Sequence, residues 1–476
     1  MINRCSKILA TLLTCSSALL MSQELQWDWA SIDTNAVHFD KNFIFGTAVS
    51  EYQVSGASNC PDAQWAAWDY TKDSKGNPRI HQGQRSGKAC DFWHTYEADI
   101  ELLKQMKVKS FRFSLEWSVI EPQKGIIDTA AIKHYHDLMD KLIAADIKPV
   151  VSLHHFTHPI WFEELNAFEK EENIHYFVDF AQRMVNEYND KVMLWATFNE
   201  PGVYVFQGYI RGVWPPGKVG VNRAGQVTQN MLKAHVAAYQ AIKKIAPKSQ
   251  VGMVHSITQF EPFNDGTKIE ATICNYMNHL FHDAITEFFA TGKFCWQVPI
   301  LSSLEYTDAQ ATKSLDFFGI NYYSHVLLNV GWMSGDQAFR LHEIKTDMPY
   351  CIYAEGLYRA IKDVSERIAV AQNIPIYITE NGIADAKDDR RELFIKRYLY
   401  ALYRAVQDGY DVRGYFYWSL LDNFEWDHGY SQKFGLYEVD MLTGERRLRD
   451  GARAFLNIID KTYHKDMQPN APEAHA

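Results

Sequence analysis

"KVMLWATFNEP" (residues 191–201) is a short apolar run that ends abruptly in polar and charged side chains. Val192 to Ala196 has the length and composition of a strand buried on both faces. Such a strand has no structural need to finish in a carboxylate, yet this one presents Glu200. "IPIYITENG" (374–382) repeats the pattern nearly half a chain later and presents Glu380.

Working outward, the same kind of run recurs at "NFIFGTAVS" (42–50), "KVKSFRFSLEW" (107–117), "IKPVVSLHHF" (147–156), "SQVGMVHSI" (249–257), "SLDFFGINYY" (314–323) and "VRGYFYWSLLDNF" (412–424). Most are preceded by amphipathic helical stretches such as "YEADIELLKQM", "AIKHYHDLMDKLIAA", "YFVDFAQRMVNEY" and "RRELFIKRYLYALYRAVQD". Eight apolar strands alternating with helices predict a parallel sheet covered on both faces. Eight such units make a single (β/α)8 TIM barrel. The longer insertions follow the first, fourth, fifth, sixth and eighth strands, which places long loops at the C-terminal rim, where such barrels carry their active sites.

The strand ends hold the chemistry. Gln53 follows the first run and Arg112 lies in the second. His154 and His155 end the third, and Asn199 and Glu200 the fourth. Asn321 and Tyr323 end the sixth and Glu380 the seventh. Trp418 lies in the eighth, with Glu425 and Trp426 just beyond. A barrel converges these ends on one pocket. Adjacent residues on a strand point to opposite faces, so His154 and His155 are not expected to share a ligand. His235, within "KAHVAAY", reads as a structural histidine on a helix, and His158 either lines the rim or caps a turn.

In these motifs the chain resembles glycoside hydrolase family 1, the retaining β-glucosidase family. "TFNEP" and "TENG" are intact, and "FIFGTAVSEYQ", "FRFSLEW", "DFFGINYYS" and "WSLLDNFEWDHGYSQKFGL" also match, over about residues 42–464. The resemblance implies that Glu200 is the acid/base and Glu380 the nucleophile. It implies that Arg112 and Tyr323 contact the nucleophile, with Asn321 in the same surroundings. It further implies that Gln53, His155, Asn199, Glu425 and Trp426 hold the non-reducing sugar, with Trp418 against its ring. Two positions depart from the family pattern. Ser55 stands where a glutamate is common, and Phe156, in "HHFTHPIW", stands where tryptophan is usual.

The chemistry agrees with that assignment. A retaining glycosidase needs two carboxyls about 5–5.5 Å apart, one protonated and one ionised. Arg112 and the Tyr323 hydroxyl favour an ionised Glu380, whereas enclosure and a like charge raise Glu200. The expected activity is that of a retaining exo-β-glycosidase acting on small β-glycosides or short oligosaccharides. Terminal glucose is the first expectation, with galactose or fucose as alternatives. Glu425 is expected to disfavour a 6-phosphate. Transglycosylation at the same site and an inactive carbohydrate-binding barrel are the competing readings.

Composition narrows the rest. A formal net charge of −10 argues against a nucleic-acid backbone as partner. No glycine-rich phosphate loop is present, so no cofactor is expected. The cysteines at positions 5, 15, 60, 90, 274, 295 and 351 show no zinc-site spacing, and they read as reduced thiols. No metal is therefore expected. Oligomeric state is not legible.

Residues 1–21 have the outline of a signal peptide: Arg4 and Lys7, then an apolar run from Ile8 to Met21. That run is too short for a stable membrane span. The weak cleavage end favours a cytoplasmic protein started at Met1 or Met21, with export to the periplasm or beyond as the alternative. Residues 22–41 read as an N-terminal extension, 42–464 as the catalytic barrel and 465–476 as a disordered tail.

Overall fold

The structure is a computed structural model that describes residues 25–264, 267–329 and 339–463. The leader of residues 1–21 and the tail of residues 465–476 lie outside the described residues.

The eight predicted strands are present: β1 Ile44–Ala48, β2 Ser110–Ser114, β3 Lys148–His154, β4 Leu194–Asn199, β5 Val251–Ser256, β6 Phe317–Asn321, β7 Ile376–Asn381 and β8 Val412–Trp418. Each is shorter than its apolar run, because the flanking residues turn onto the rims. Consecutive strands pair in parallel, and β1 against β8, Ile44 opposite Gly414 through Ala48 opposite Trp418, closes the barrel. A helix returns the chain after every strand, from Phe92–Gln105 after β1 to Arg453–Tyr463 after β8. Strands β2, β4, β5, β6 and β7 are buried along their whole length, which is why their sequences do not alternate. The barrel interior is filled by Val150, Leu194, Phe317, Tyr377 and Phe416, so it is a packed core and not a channel.

Three two-stranded ribbons decorate the loops and are not apparent as strands in the sequence. Residues Phe260–Pro262 pair with Val326–Leu328, Lys293–Val298 with Ser302–Thr307, and Tyr437–Val439 with Arg446–Leu448. Gln53 is not at a strand end. It lies in the helix Glu51–Asn59, which begins three residues past β1. The cysteines among the described residues are free thiols, Cys60, Cys90, Cys274 and Cys351 being buried. No described helix is long and apolar enough to cross a membrane.

Candidate active site

The residues of the two glutamate motifs have local physical roles. In "TFNEP", Thr197 Oγ1 donates to His235 Nδ1 at 2.7 Å, and His235 Nε2 donates to the Ser314 carbonyl at 2.8 Å. His235 is thus a buried brace between β4 and the outer layer, as its helical position suggested. Phe198 stacks on Phe177 outside the barrel. Glu200 is the first residue past β4 and adopts the left-handed conformation, φ 46°, before Pro201 opens a short helix. That conformation is uncommon for a residue with a Cβ. Phe156 (φ 67°) and Trp426 (φ 47°), which line the same pocket, share it. Strained backbone of this kind concentrates at functional sites.

In "TENG", Thr379 Oγ1 donates to Asn321 Oδ1 at 2.7 Å. Asn381 Nδ2 donates to the Tyr322 carbonyl, and Asn381 Oδ1 accepts from the Tyr415 hydroxyl at 2.8 Å. A Cβ at Gly382 would lie 1.7 Å from the Trp418 carbonyl oxygen. Only glycine lets the backbone after β7 pass so close to the end of β8.

The two glutamates share one pocket and differ in their partners. Glu380 Oε1 accepts from Arg112 Nη1 at 2.6 Å, and Oε2 accepts from the Tyr323 hydroxyl at 2.8 Å. Arg112 is 1% exposed and fully engaged. It also donates to the Thr379 carbonyl, to Ser152 Oγ and, at 2.6 Å, to Asn199 Oδ1. Glu200 Oε1 accepts a single bond, from Asn321 Nδ2 at 2.8 Å.

Asn199 orders the other wall. Its Oδ1 accepts from both Arg112 and Asn321, so its Nδ2 must face His155 Nε2, 3.1 Å away. His155 Nε2 is then the acceptor, and Nδ1 carries the hydrogen. His155 Nδ1 and Gln53 Oε1 make no hydrogen bond within the described protein, although both are buried beside the pocket. Gln53 Nε2 contacts Asn423 Oδ1, the Phe424 carbonyl and Glu425 Oε2 at 3.1–3.2 Å. One donor and one acceptor are thus set beside a carboxyl, which suits hydroxyl groups that both give and accept.

The electrostatics separate the carboxyls. Burial pushes Glu200 up to about 8, the negative charge of Glu380 adds to it, and Asn321 and Arg112 pull it back. Burial also lifts Glu380 above the ordinary carboxylate value, but Arg112 and Tyr323 oppose the rise directly. Glu425 is pushed up to about 8 by burial and then by Glu380. Burial, reinforced by Arg112, holds His155 well below the usual histidine value, so its ring is neutral.

Of the residues singled out in the sequence, Gln53, His155, Glu200, Tyr323, Glu380, Trp418, Glu425 and Trp426 line one cavity of about 150 Å³. Arg112, Asn199 and Asn321 stand immediately behind it, bonded to the liners. His154 points the other way, as the strand alternation requires. It contacts His158 Nδ1 at 3.3 Å, and His158 reaches Glu163 at 3.1 Å, beneath the rim and outside the pocket. Phe156 does line the pocket and packs on Trp214 and Trp426.

Gln207, Trp214, Met348 and Tyr350 complete the mouth. They come from insertions that carry no motif, and only their position in long rim loops hinted at them. Among the described residues no lysine or arginine lines the cavity, and no cluster of metal-ligating side chains occurs in it. Among the described residues the one such cluster is His325, Glu343 and Cys351, outside the pocket.

The sequence model of the family described as Glycosyl hydrolase family 1 matches residues 35–464. The chain is 28% identical to Beta-glucosidase A of Thermotoga maritima over 89% of its own length and 98% of the relative's. It is 32% identical to Beta-glucosidase 32 of Arabidopsis thaliana, over 96% and 95% of the two chains. Among solved structures, the β-glycosidase from Pyrococcus horikoshii superposes with a TM-score of 0.77 at 35% identity, over 89% of this chain and 95% of that one. With its closed barrel and its paired glutamates, the chain belongs to glycosyl hydrolase family 1.

Proposed function

We propose that this retaining exo-β-glycosidase uses Glu380 as nucleophile and Glu200 as acid/base, and that its glycone is an unphosphorylated hexose, glucose first. The observation that supports the pair best is the asymmetry of their partners. Glu380 holds a guanidinium and a phenol hydroxyl, and Glu200 holds only an amide. A carboxyl bonded to a cation is the one that loses its proton first.

Glu380 attacks the anomeric carbon while Glu200 gives its proton to the departing oxygen, leaving a glycosyl ester. Esterification removes the charge of Glu380. Glu200, freed of that like charge, becomes more acidic and takes a proton from the incoming water. Water then opens the ester with the sugar's configuration retained. Interception by an alcohol or a second sugar is the transglycosylation variant, and nothing in the pocket distinguishes it.

The glycone reading rests on Gln53, His155, Glu425 and Trp426. Desolvation in the pocket and the neighbouring Glu380 raise the Glu425 carboxyl above the ordinary carboxylate range, which weakens its repulsion of an anion. A second reason adds to that repulsion in disfavouring a 6-phosphate: among the described residues no lysine or arginine lines the cavity to receive it. Galactose and fucose remain acceptable alternatives at a site of hydrogen-bonding groups.

Trapping with a 2-fluoro glucoside tests the assignment. Mass spectrometry should place the adduct on Glu380, and Glu380→Gln should fold, bind and fail to turn over. An adduct on any other residue refutes the pair. We further propose that the protein acts in the cytoplasm. N-terminal sequencing from the native cell checks this, and a mature start just after residues 20–25 with export reverses it.

A further inference from the structure

The rim loop that carries Met348 and Tyr350 into the pocket is a tight antiparallel turn. Thr346 N donates to the Tyr350 carbonyl at 3.0 Å, and Ile352 N donates to the Ile344 carbonyl at 2.8 Å. Glu343 and Cys351 flank the base of that turn, and His325 faces both of them. The ligand atoms of His325, Glu343 and Cys351 all lie within 4.8 Å of one another. His325 and Cys351 are each 2% exposed. His325 Nε2 is 3.1 Å from Glu343 Oε1, and its other nitrogen, Nδ1, is 2.7 Å from Glu261 Oε2. Glu261 is in turn held by Arg359 Nη1 at 2.7 Å.

We propose that His325, Glu343 and Cys351 form a binding site for a transition-metal dication of borderline softness, for which zinc is the chemical match. One nitrogen, one carboxylate oxygen and one sulfur are a zinc donor set, with a fourth position left for water. Three atoms mutually within 4.8 Å have a common centre no farther than about 2.8 Å from each, so closure to zinc bond lengths of about 2.0–2.3 Å needs shifts below an ångström. The Glu261 carboxylate on the far nitrogen is the arrangement that fixes the tautomer and orientation of metal-bound histidines.

Charge also balances. A dication meets one thiolate and one carboxylate, while Glu261 and Arg359 neutralise each other. Binding releases the thiol proton of Cys351 and the proton that His325 Nε2 shares with Glu343. The ion would pin the base of the 344–352 turn to the segment just past Tyr323, the residue that bonds Glu380. This explains why so many buried ionisable groups gather outside the pocket, where glycoside cleavage makes no use of them.

The test is metal content, which does not depend on which glycoside the enzyme cleaves. Protein purified without chelator, reloaded with zinc and desalted should hold one equivalent per chain by elemental analysis. The cobalt-substituted form should show thiolate-to-cobalt charge-transfer absorption. Cys351→Ser should abolish that absorption, and Glu261→Gln should weaken zinc binding by about 10- to 100-fold while leaving the three ligands in place. Retention below about half an equivalent after reloading, or a cobalt band that survives Cys351→Ser, overturns the site.

Discussion

Replacing Arg112 by methionine removes the cation in contact with Glu380 and leaves a neutral side chain of similar reach. The ion pair is 2.6 Å long, with both side chains at most 5% exposed. With charge centres about 4 Å apart and an effective dielectric constant of about 20, the attraction is roughly 4 kcal/mol. Stranding one member of a buried pair costs about 3–5 kcal/mol, which agrees. At about 1.4 kcal/mol per pH unit, Glu380 should rise by about 3 units. The guanidinium stabilises the charged form, so its loss moves the acid limb of kcat/KM to higher pH. Arg112 also pulls Glu200 down, so its loss raises the proton affinity of that carboxyl too and the alkaline limb does not move down. The acid limb moves into the neutral range, and kcat/KM on an activated nitrophenyl glycoside should fall by about 10²- to 10³-fold at neutral pH. Arg112→Lys keeps the charge but not the fork to Asn199, and it should fall in between. A loss below tenfold, or an acid limb that stays in place, refutes the reasoning.

Glu200→Ala should slow substrates with poor leaving groups by about 10²- to 10⁴-fold, and nitrophenyl substrates much less, because a nitrophenolate departs without a proton. Azide should restore part of the turnover and yield the β-glycosyl azide. Equal losses on both substrate types without rescue count against the role. Glu425→Ala should cost most on glucosides and least on a sugar lacking the 6-hydroxyl. The wild-type enzyme should prefer nitrophenyl β-glucoside to its 6-phosphate. A uniform loss, or preference for the phosphate, contradicts the glycone reading.

The barrel was legible because the strands bury nearly every residue on both faces, so the apolar runs stand out and the polar residues at their ends call for another explanation than the core. Glu200, Glu380 and Arg112 were visible for that reason. Gln53 was visible as a residue but not as part of a helix, because the run containing Ile44 to Ala48 gives no sign of stopping at Ala48. The ribbon of Phe260–Pro262 and Val326–Leu328 stayed hidden because its strands are three residues long and lie far apart in sequence, while the other two are local hairpins without a marked apolar run. The raised proton affinity of Glu425 was not legible either. A carboxyl next to glutamine reads as an ordinary acceptor until its burial and its proximity to Glu380 are known. The cluster of His325, Glu343 and Cys351 follows no motif spacing, because a loop and not a helix or hairpin brings it together.

A pocket with two buried carboxyls, Glu200 and Glu380, and one adjoining cation favours a bound proton, and that has a consequence for stability. Glu200 titrates near 4.5 when unfolded and near 8 in the folded chain, chiefly through burial. Between those values the folded state binds the proton more tightly than the unfolded state does. Stability is therefore undiminished below pH 4.5 and falls as pH rises towards 8, the reverse of a salt-bridged carboxylate. At about 1.4 kcal/mol per unit, the penalty reaches several kcal/mol by pH 8. Glu200→Gln keeps an oxygen for Asn321 and cannot ionise. The variant and the wild type should melt together at pH 5, and the variant should gain several degrees by pH 8. The contribution of the buried Glu51, raised in the same direction, is common to both proteins and drops out of the difference, whereas Glu380 and Glu425 interact with Glu200 and titrate lower in the variant. A Tm gap that stays constant from pH 5 to 8 would show that Glu200 does not carry its proton into the neutral range, and the acid role assigned to it would lose its physical basis.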